Sequence, residues 1–158
     1  MERAKAILEL NSDESNQISN LSVNPHQPHV EMSFYEDFSV RGIRVIRVEP
    51  TLVVCSFKVP PRLIDRNGNL SAGAIANLVD EVGAAVIHRK GLPMSSSTTM
   101  SISYVSTAKV DDELEVSSRL LGKKGFLLGT VVLLKNKATG EIIAEGRHTL
   151  FNKHASKI

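Results

Sequence analysis

The chain has one cysteine and no tryptophan in 158 residues, and aromatic residues make up only 4% of it. Each scarcity excludes something. The lone thiol, Cys55, cannot close an intramolecular disulfide and has no metal-ligand companion at a recognisable spacing, so a disulfide scaffold and a thiolate metal site both drop out. A reducing compartment suits such a chain. Few aromatics leave little material for stacking on single-stranded nucleic acid. Excess positive charge is scarce too: the formal net charge is +2, and Lys and Arg are scattered rather than gathered in a run, which argues against a nucleic-acid partner. No apolar run is long enough to span a bilayer, and the opening MERAKAILEL is too charged for a secretory signal.

What is present is an ordinary core-forming composition, 42% hydrophobic, in a length that suits one domain with an extension. Its centre is the stretch from Asp65 to Lys90, DRNGNLSAGAIANLVDEVGAAVIHRK, which reads as a turn opening a long helix. Placing residues about 100° apart puts Ile75, Leu78, Val79, Val82 and Val86 on one stripe. That stripe is predicted core. Asp80 and Glu81 are adjacent yet point to different faces. Asp80 has Ala76 and Ala84 one turn to either side and Gly73 two turns back, a strip of small residues that another backbone or a ligand can approach. Glu81 shares its face with Asn77 and His88 and reads as solvated. Asp80 is therefore the candidate chemical group.

Taken in order, residues 1 to 10 suit a short amphipathic helix with Ala4, Ile7 and Leu8 on one side, and residues 11 to 31 read as a polar linker. His26 and His29 lie in that linker between prolines and lack the partners of a metal site. The domain is predicted to span residues 32 to 152, starting with a helical turn around Phe34, Tyr35 and Phe38. Two strand-like runs follow, Gly42 to Val48 and Leu52 to Val59, parted by Glu49-Pro50-Thr51. After the helix, which Gly91, Leu92 and Pro93 should stop, come runs around Met100 to Tyr104 and Glu113 to Leu120 that alternate as half-buried strands. A basic hairpin, Gly122-Lys123-Lys124-Gly125, leads to Leu127 to Leu134, and a last strand covers Glu141 to Phe151. Two strands, one helix and then four strands make an α+β fold with an antiparallel sheet wrapped on a helix buried on nearly every side. The edges of one such sheet make a homodimer the natural completion.

Several segments carry a resemblance: Gly68-Asn69-Leu70 leading into Gly73-Ala74-Ile75-Ala76-Asn77-Leu78-Val79-Asp80, then Ile102-Ser103-Tyr104 with Ala108-Lys109, then Asn136-Lys137-Ala138-Thr139-Gly140 with Ala144-Glu145-Gly146-Arg147-His148. In this order and spacing they resemble the hotdog-fold acyl-CoA thioesterases, in the PaaI-like branch that includes acyl-CoA thioesterase 13. The resemblance runs from about Arg41 to His148. It implies a hotdog fold, a homodimer or homotetramer with sites at the dimer interface, an acyl-CoA substrate, no membrane partner, and no metal or organic cofactor. It also implies site residues. The helix carboxylate that activates water falls on Asp80, its hydroxyl partner on Ser97, and the backbone donors at the helix start on Ala72 and Gly73. Substrate contacts fall on Thr99, on the run Tyr104 to Lys109 that includes Ser106, on Gly122, Lys123, Lys124 and Gly125 through Leu127, and on Phe151. Lys109, Lys123 and Lys124 suit CoA phosphates.

Two departures from the family pattern bear on the chemistry. The helix entry Leu-His-Gly-Gly is here Leu70-Ser71-Ala72-Gly73, and the asparagine that polarises the thioester carbonyl falls on Asp65. An ionised Asp65 accepts rather than donates, whereas Asn67 nearby keeps a donor. The expected activity is thus thioester hydrolysis, the alternative a hotdog module that binds acyl-CoA without cleaving it. A dehydratase fits less well, since His88 lies on the polar side of the helix away from Asp80. The final Ser156-Lys157-Ile158 resembles the S-K-L peroxisomal address, so the expected location is the peroxisome or the cytoplasm.

Overall fold

The computed structural model describes residues 2–9, 11–27, 33–88 and 94–153. The predicted helix stop at residues 91 to 93, His29 and the tail tripeptide lie outside them. The chain divides into two units, Met1–Tyr35 and Glu36–Ile158. The first holds α1 (Glu2–Leu8) and α2 (Ser12–Ser19). α1 agrees with the amphipathic pattern, although it buries nothing: Ile7 and Leu8 are both exposed. α2 corrects the linker expected there. Asn11 accepts from the Ser15 amide, and Asn11 and Asp13 are residues that suit a helix start, so a segment without an apolar period still forms a helix.

In the second unit the elements run α3 (Phe34–Val40, which begins at the unit boundary), β1 (Arg44–Glu49), β2 (Leu52–Lys58), a 3₁₀ turn at Pro61–Leu63, α4 (Ala72–Ala85), β3 (Ser96–Tyr104), β4 (Glu113–Lys124), β5 (Leu127–Asn136) and β6 (Ile142–Phe151). All strand pairs are antiparallel, in the order β1-β2-β4-β5-β6-β3. This is the α+β hotdog fold expected, with α4 packed on the inner face of the sheet. Period-two alternation sets that face. Leu114, Val116 and Ser118 of β4, Leu128, Thr130, Val132 and Leu134 of β5, and Ala144, Gly146, His148 and Leu150 of β6 are all buried. Against them lies the helical stripe Ile75, Leu78, Val79, Val82 and Val86, every member buried as predicted. Burying each such aliphatic side chain contributes roughly 1.5–3 kcal/mol.

Two glycines set how closely helix and sheet approach. A Cβ on Gly146 would lie 2.4 Å from Val79 Cγ1, and one on Gly83 would lie 2.9 Å from His148 Nδ1. Each glycine is therefore a slot for the opposing side chain. Four expectations change here. The helix is buried on its core side only, with Ala72, Gly73, Ala85 and His88 exposed, because the sheet covers one flank of it. It stops at Ala85, where the Ile87 amide bonds back to the Ala84 carbonyl at 3.1 Å and tightens the last turn. β3 is not half-buried: only Ile102 is shielded, because β3 is an edge strand with β6 on one side alone. And Gly122 to Lys124 belong to β4, so the hairpin tip is Gly125-Phe126; a register shift between Leu120 and Gly122 lets the strand continue past the glycine.

Candidate active site

α4 presents Asp80 beside β3 and β6. Ser97 Oγ donates to Asp80 Oδ1 at 2.8 Å, and His148 Nε2 lies 3.3 Å from the same oxygen. The Asp80 side chain is 43% exposed and that of His148 not at all, so solvent reaches the carboxylate past a ring walled into the core. Ser97 reaches it from the edge strand, where a register shift between Ser97 and Thr99 breaks the alternation and Thr98 bonds to the Thr149 carbonyl at 2.8 Å. Burial pushes the His148 imidazole below its usual range, and the neighbouring Asp80 carboxylate pulls the other way. Burial is the larger cause, so the ring is a neutral partner with one donor and one acceptor nitrogen. With Oδ1 bonded to Ser97 and faced by the His148 ring, Asp80 Oδ2 is the oxygen left for a reactant.

His148 was missed in the sequence, where only His88 was weighed as a histidine near Asp80. A signal existed: Ala144, Gly146, His148 and Leu150 alternate on the inner face of β6. Glu81 also differs from expectation. It is half-buried rather than solvated, and burial, then Asp80 and Glu36, raises its carboxyl above the usual carboxylate range. Its flank of α4 is covered near α3, where Asn77 Nδ2 donates to Ser39 Oγ at 3.0 Å.

At the other end of α4, Ser71 is the N-cap: its Oγ accepts from the Ala74 amide at 3.2 Å and its carbonyl accepts from the Ile75 amide at 3.0 Å. The cap leaves the amides of Ala72 and Gly73, both exposed, as donors at the helix start. Space beside Gly73 is open, with nothing within 4 Å of where a Cβ would be. Tyr104 Oη reaches the Ala72 carbonyl at 3.4 Å, tying the end of β3 to this point. Asp65 lies in the preceding turn. Its Oδ1 accepts from the amides of Asn67 at 2.8 Å and Asn69 at 3.0 Å, and the Asn69 bond is the main reason its carboxyl is held below the usual range. Oδ1 of that carboxylate braces its own turn.

The remaining expected contacts are spread out. Gly122, Lys123 and Lys124 line a groove of about 410 Å³ together with Leu121, Leu127, Gly129 and Thr149. Gly129 and Thr149 alternate with the buried Leu128 and Leu150, so they face away from α4; in one chain this groove and Asp80 lie on opposite faces of the sheet. Phe151 packs edge-on against Phe126 at the hairpin tip, centroids 5.9 Å apart. Ser106 bonds to Glu141 at 2.5 Å, Lys109 is exposed with its amide held by Asp112 at 2.8 Å, and Thr99 is exposed on β3.

Comparison with known proteins decides the family. Residues 67–143 match the family described as Thioesterase superfamily. Acyl-coenzyme A thioesterase 13 of Homo sapiens is 36% identical over 109 residues, covering 68% of this chain and 77% of that one. The chain belongs to the thioesterase superfamily. Within it the chain is related to the acyl-CoA thioesterase 13 and PaaI-like branch; the mouse acyl-coenzyme A thioesterase 13 is 33% identical over 115 residues, covering 72% of this chain and 81% of that one. The fold agrees: the crystal structure of zebra fish thioesterase superfamily member 2 superposes with a TM-score of 0.68 at 33% identity, covering 73% of this chain and 84% of that one. On this superfamily member, the motif Asn136 to Gly140 proves to be a turn, with Asn136 Oδ1 accepting from Ala138 and Thr139 at 2.9 and 3.2 Å, whereas the motif ending in His148 reaches the candidate site.

Proposed function

We propose that this chain hydrolyses an acyl-CoA to the free acid and CoA, with Asp80 as general base and two copies of the chain contributing to each site. The reading is carried by the arrangement on the carboxylate: Ser97 and His148 both address Oδ1, at 2.8 and 3.3 Å. Oδ2 is then aimed by its fixed partner oxygen and takes a proton from water as the water oxygen attacks the thioester carbon. Charge gathers on the carbonyl oxygen, which amides at a helix start stabilise. When the C–S bond breaks, the proton on Asp80 passes to the departing sulfur, and the carboxylate is restored. No acyl-enzyme is required, and the relatives named as acyl-CoA thioesterases support the substrate class.

Helix geometry argues for the second copy. From Ala72 to Asp80 along α4 is about 12 Å at 1.5 Å per residue. One carbonyl and its attacking water do not bridge that span, so the amides of Ala72 and Gly73 serve the Asp80 of a partner. The exposed edge β3, which carries Ser97, offers its free backbone groups for pairing with that partner. Thr99, Tyr104, Ser106, Lys109 and Phe151 are the contacts we assign to substrate by resemblance, with Lys109, Lys123 and Lys124 meeting phosphates.

The test is incubation with a panel of acyl-CoAs while released thiol is followed. Turnover of at least one member is expected, and Asp80→Ala should lose it by about a hundredfold or more while still binding the ester. Undiminished turnover in that variant would refute the role of Asp80. A second reading, acyl-CoA binding without cleavage, is favoured by one observation: Asp65 is an acceptor where the family has a donor. Saturable binding across the panel with no thiol released would establish it.

A further inference from the structure

Among the buried polar side chains on the inner face of the sheet, three lie on neighbouring strands. Ser118 of β4, Thr130 of β5 and His148 of β6 are each no more than 1% exposed. Thr130 pairs directly with His148, and on its other side pairs with Leu120, the next inward residue after Ser118. A directly opposed pair such as Thr130 and His148 lies about 4.5–5.5 Å apart between Cβ atoms, whereas the diagonal Ser118–Thr130 pair lies about 7–8 Å apart, beyond the reach of two short side chains. Ser118 Oγ and both ring nitrogens of His148 are buried without a hydrogen bond. The Thr130 hydroxyl makes one contact that barely qualifies, 3.4 Å to the His148 carbonyl, against a usual O–H···O distance of about 2.5–3.0 Å. The notch at Gly83 brings them together: a Cβ placed there would lie 2.9 Å from His148 Nδ1 and 3.4 Å from Thr130 Oγ1, so both atoms press on the same point of the helix.

Protonation decides what these groups do. His148 Nε2 is the nitrogen facing Asp80 Oδ1 at 3.3 Å, so a neutral ring with its proton on Nε2 turns a donor toward the carboxylate. Nδ1 is then a bare acceptor in the core, and buried acceptors call for a donor. Thr130 is the hydroxyl that shares its space. We propose that Thr130 and His148 form a buried hydroxyl–imidazole relay in which Thr130 turns about its Cα–Cβ bond to donate to Nδ1, and the ring is fixed as the Nε2–H tautomer that faces Asp80. Thr130 is then a positioning residue. No bond is made or broken by the relay, and no proton leaves it. The inference deepens the hydrolase reading and rests on it for its kinetic consequence only.

The experiment reads the imidazole directly. In the full-length ¹⁵N-labelled protein, a long-range proton–nitrogen spectrum near neutral pH should show His148 as the Nε2–H tautomer. Thr130→Val, nearly the same shape, should give a mixed tautomer population and a kcat about tenfold lower with KM unchanged, the effect of one lost buried hydrogen bond. Thr130→Ser should restore both. A wild-type Nδ1–H tautomer, or an unchanged spectrum in Thr130→Val, overturns the relay. If that variant does not fold, Thr130→Ala carries the same spectral test, and an unchanged tautomer there overturns it likewise. Tautomer shifts in a protein that cleaves no acyl-CoA would leave the relay standing and sink the hydrolase reading, so the two failures are separable.

Discussion

α4 and the turn that precedes it treat their acids differently. At Asp80, neighbours from β3 and β6 converge on one carboxylate oxygen and leave the other free. At Asp65, the acid's own turn takes one carboxylate oxygen through two backbone amides. The same residue type is thus a poised group in one place and a turn brace in the other. What separates them is what faces the engaged oxygen: side chains from two strands at Asp80, backbone amides of its own turn at Asp65.

The sharpest way to break that contrast is to make one chemical change at both acids. Asp80→Asn should lower turnover by about two to three orders of magnitude, because the amide cannot take the proton of water. Asp65→Asn should raise turnover about tenfold by returning a donor near the carbonyl. Steady-state kinetics on the best acyl-CoA of the panel check both, and a loss in Asp65→Asn would contradict the oxyanion account. Next in size is Gly146→Ala. Its new methyl would meet Val79 Cγ1 at 2.4 Å, so urea unfolding should show about 1–3 kcal/mol of lost stability. Wild-type stability in that variant would show that α4 can back away from the sheet. Ser71→Ala removes the N-cap at the helix start and should cost about 1 kcal/mol by the same measurement.

The smallest effect is a pH dependence. His148 titrates below its ordinary 6.5 when folded, so the unfolded chain binds the proton more readily. Its contribution to stability is complete above about pH 6.5 and declines as pH falls from there toward the folded value. Glu81, raised above its ordinary 4.5, has the reverse sign: its contribution is complete below 4.5 and is lost as pH rises through the folded value. Melting temperatures from about pH 8 to 5 should therefore fall less steeply for His148→Gln than for the wild type. Parallel curves would show that the ring is not titrating as described.

Much of the fold was legible because periodicity reports which face of an element is inward. The stripe from Ile75 to Val86 and the alternation from Leu114 to Leu120 both landed as read. β3 was misread as half-buried because its alternation says nothing about whether a second strand lies beyond it. Asp80 stood out in the sequence by its strip of small residues, whereas His148 did not. Sixty-eight positions separate the two, and only the strand register brings the ring under the helix. Asp65 was read as a candidate donor or a spoiler, and its use as a turn brace depends on amide directions that residue identity does not reveal. Cys55 is buried in the core, and burial pushes its thiol up, away from the reactive thiolate.

The paired glycine slots index the helix against the sheet. Val79 occupies the notch at Gly146 while His148 occupies the notch at Gly83, one knob travelling each way. A slide of α4 by a single residue would drive both knobs into backbone. Asp80, immediately after Val79, is consequently delivered to the same address each time the chain folds, with no hydrogen bond needed to find the register.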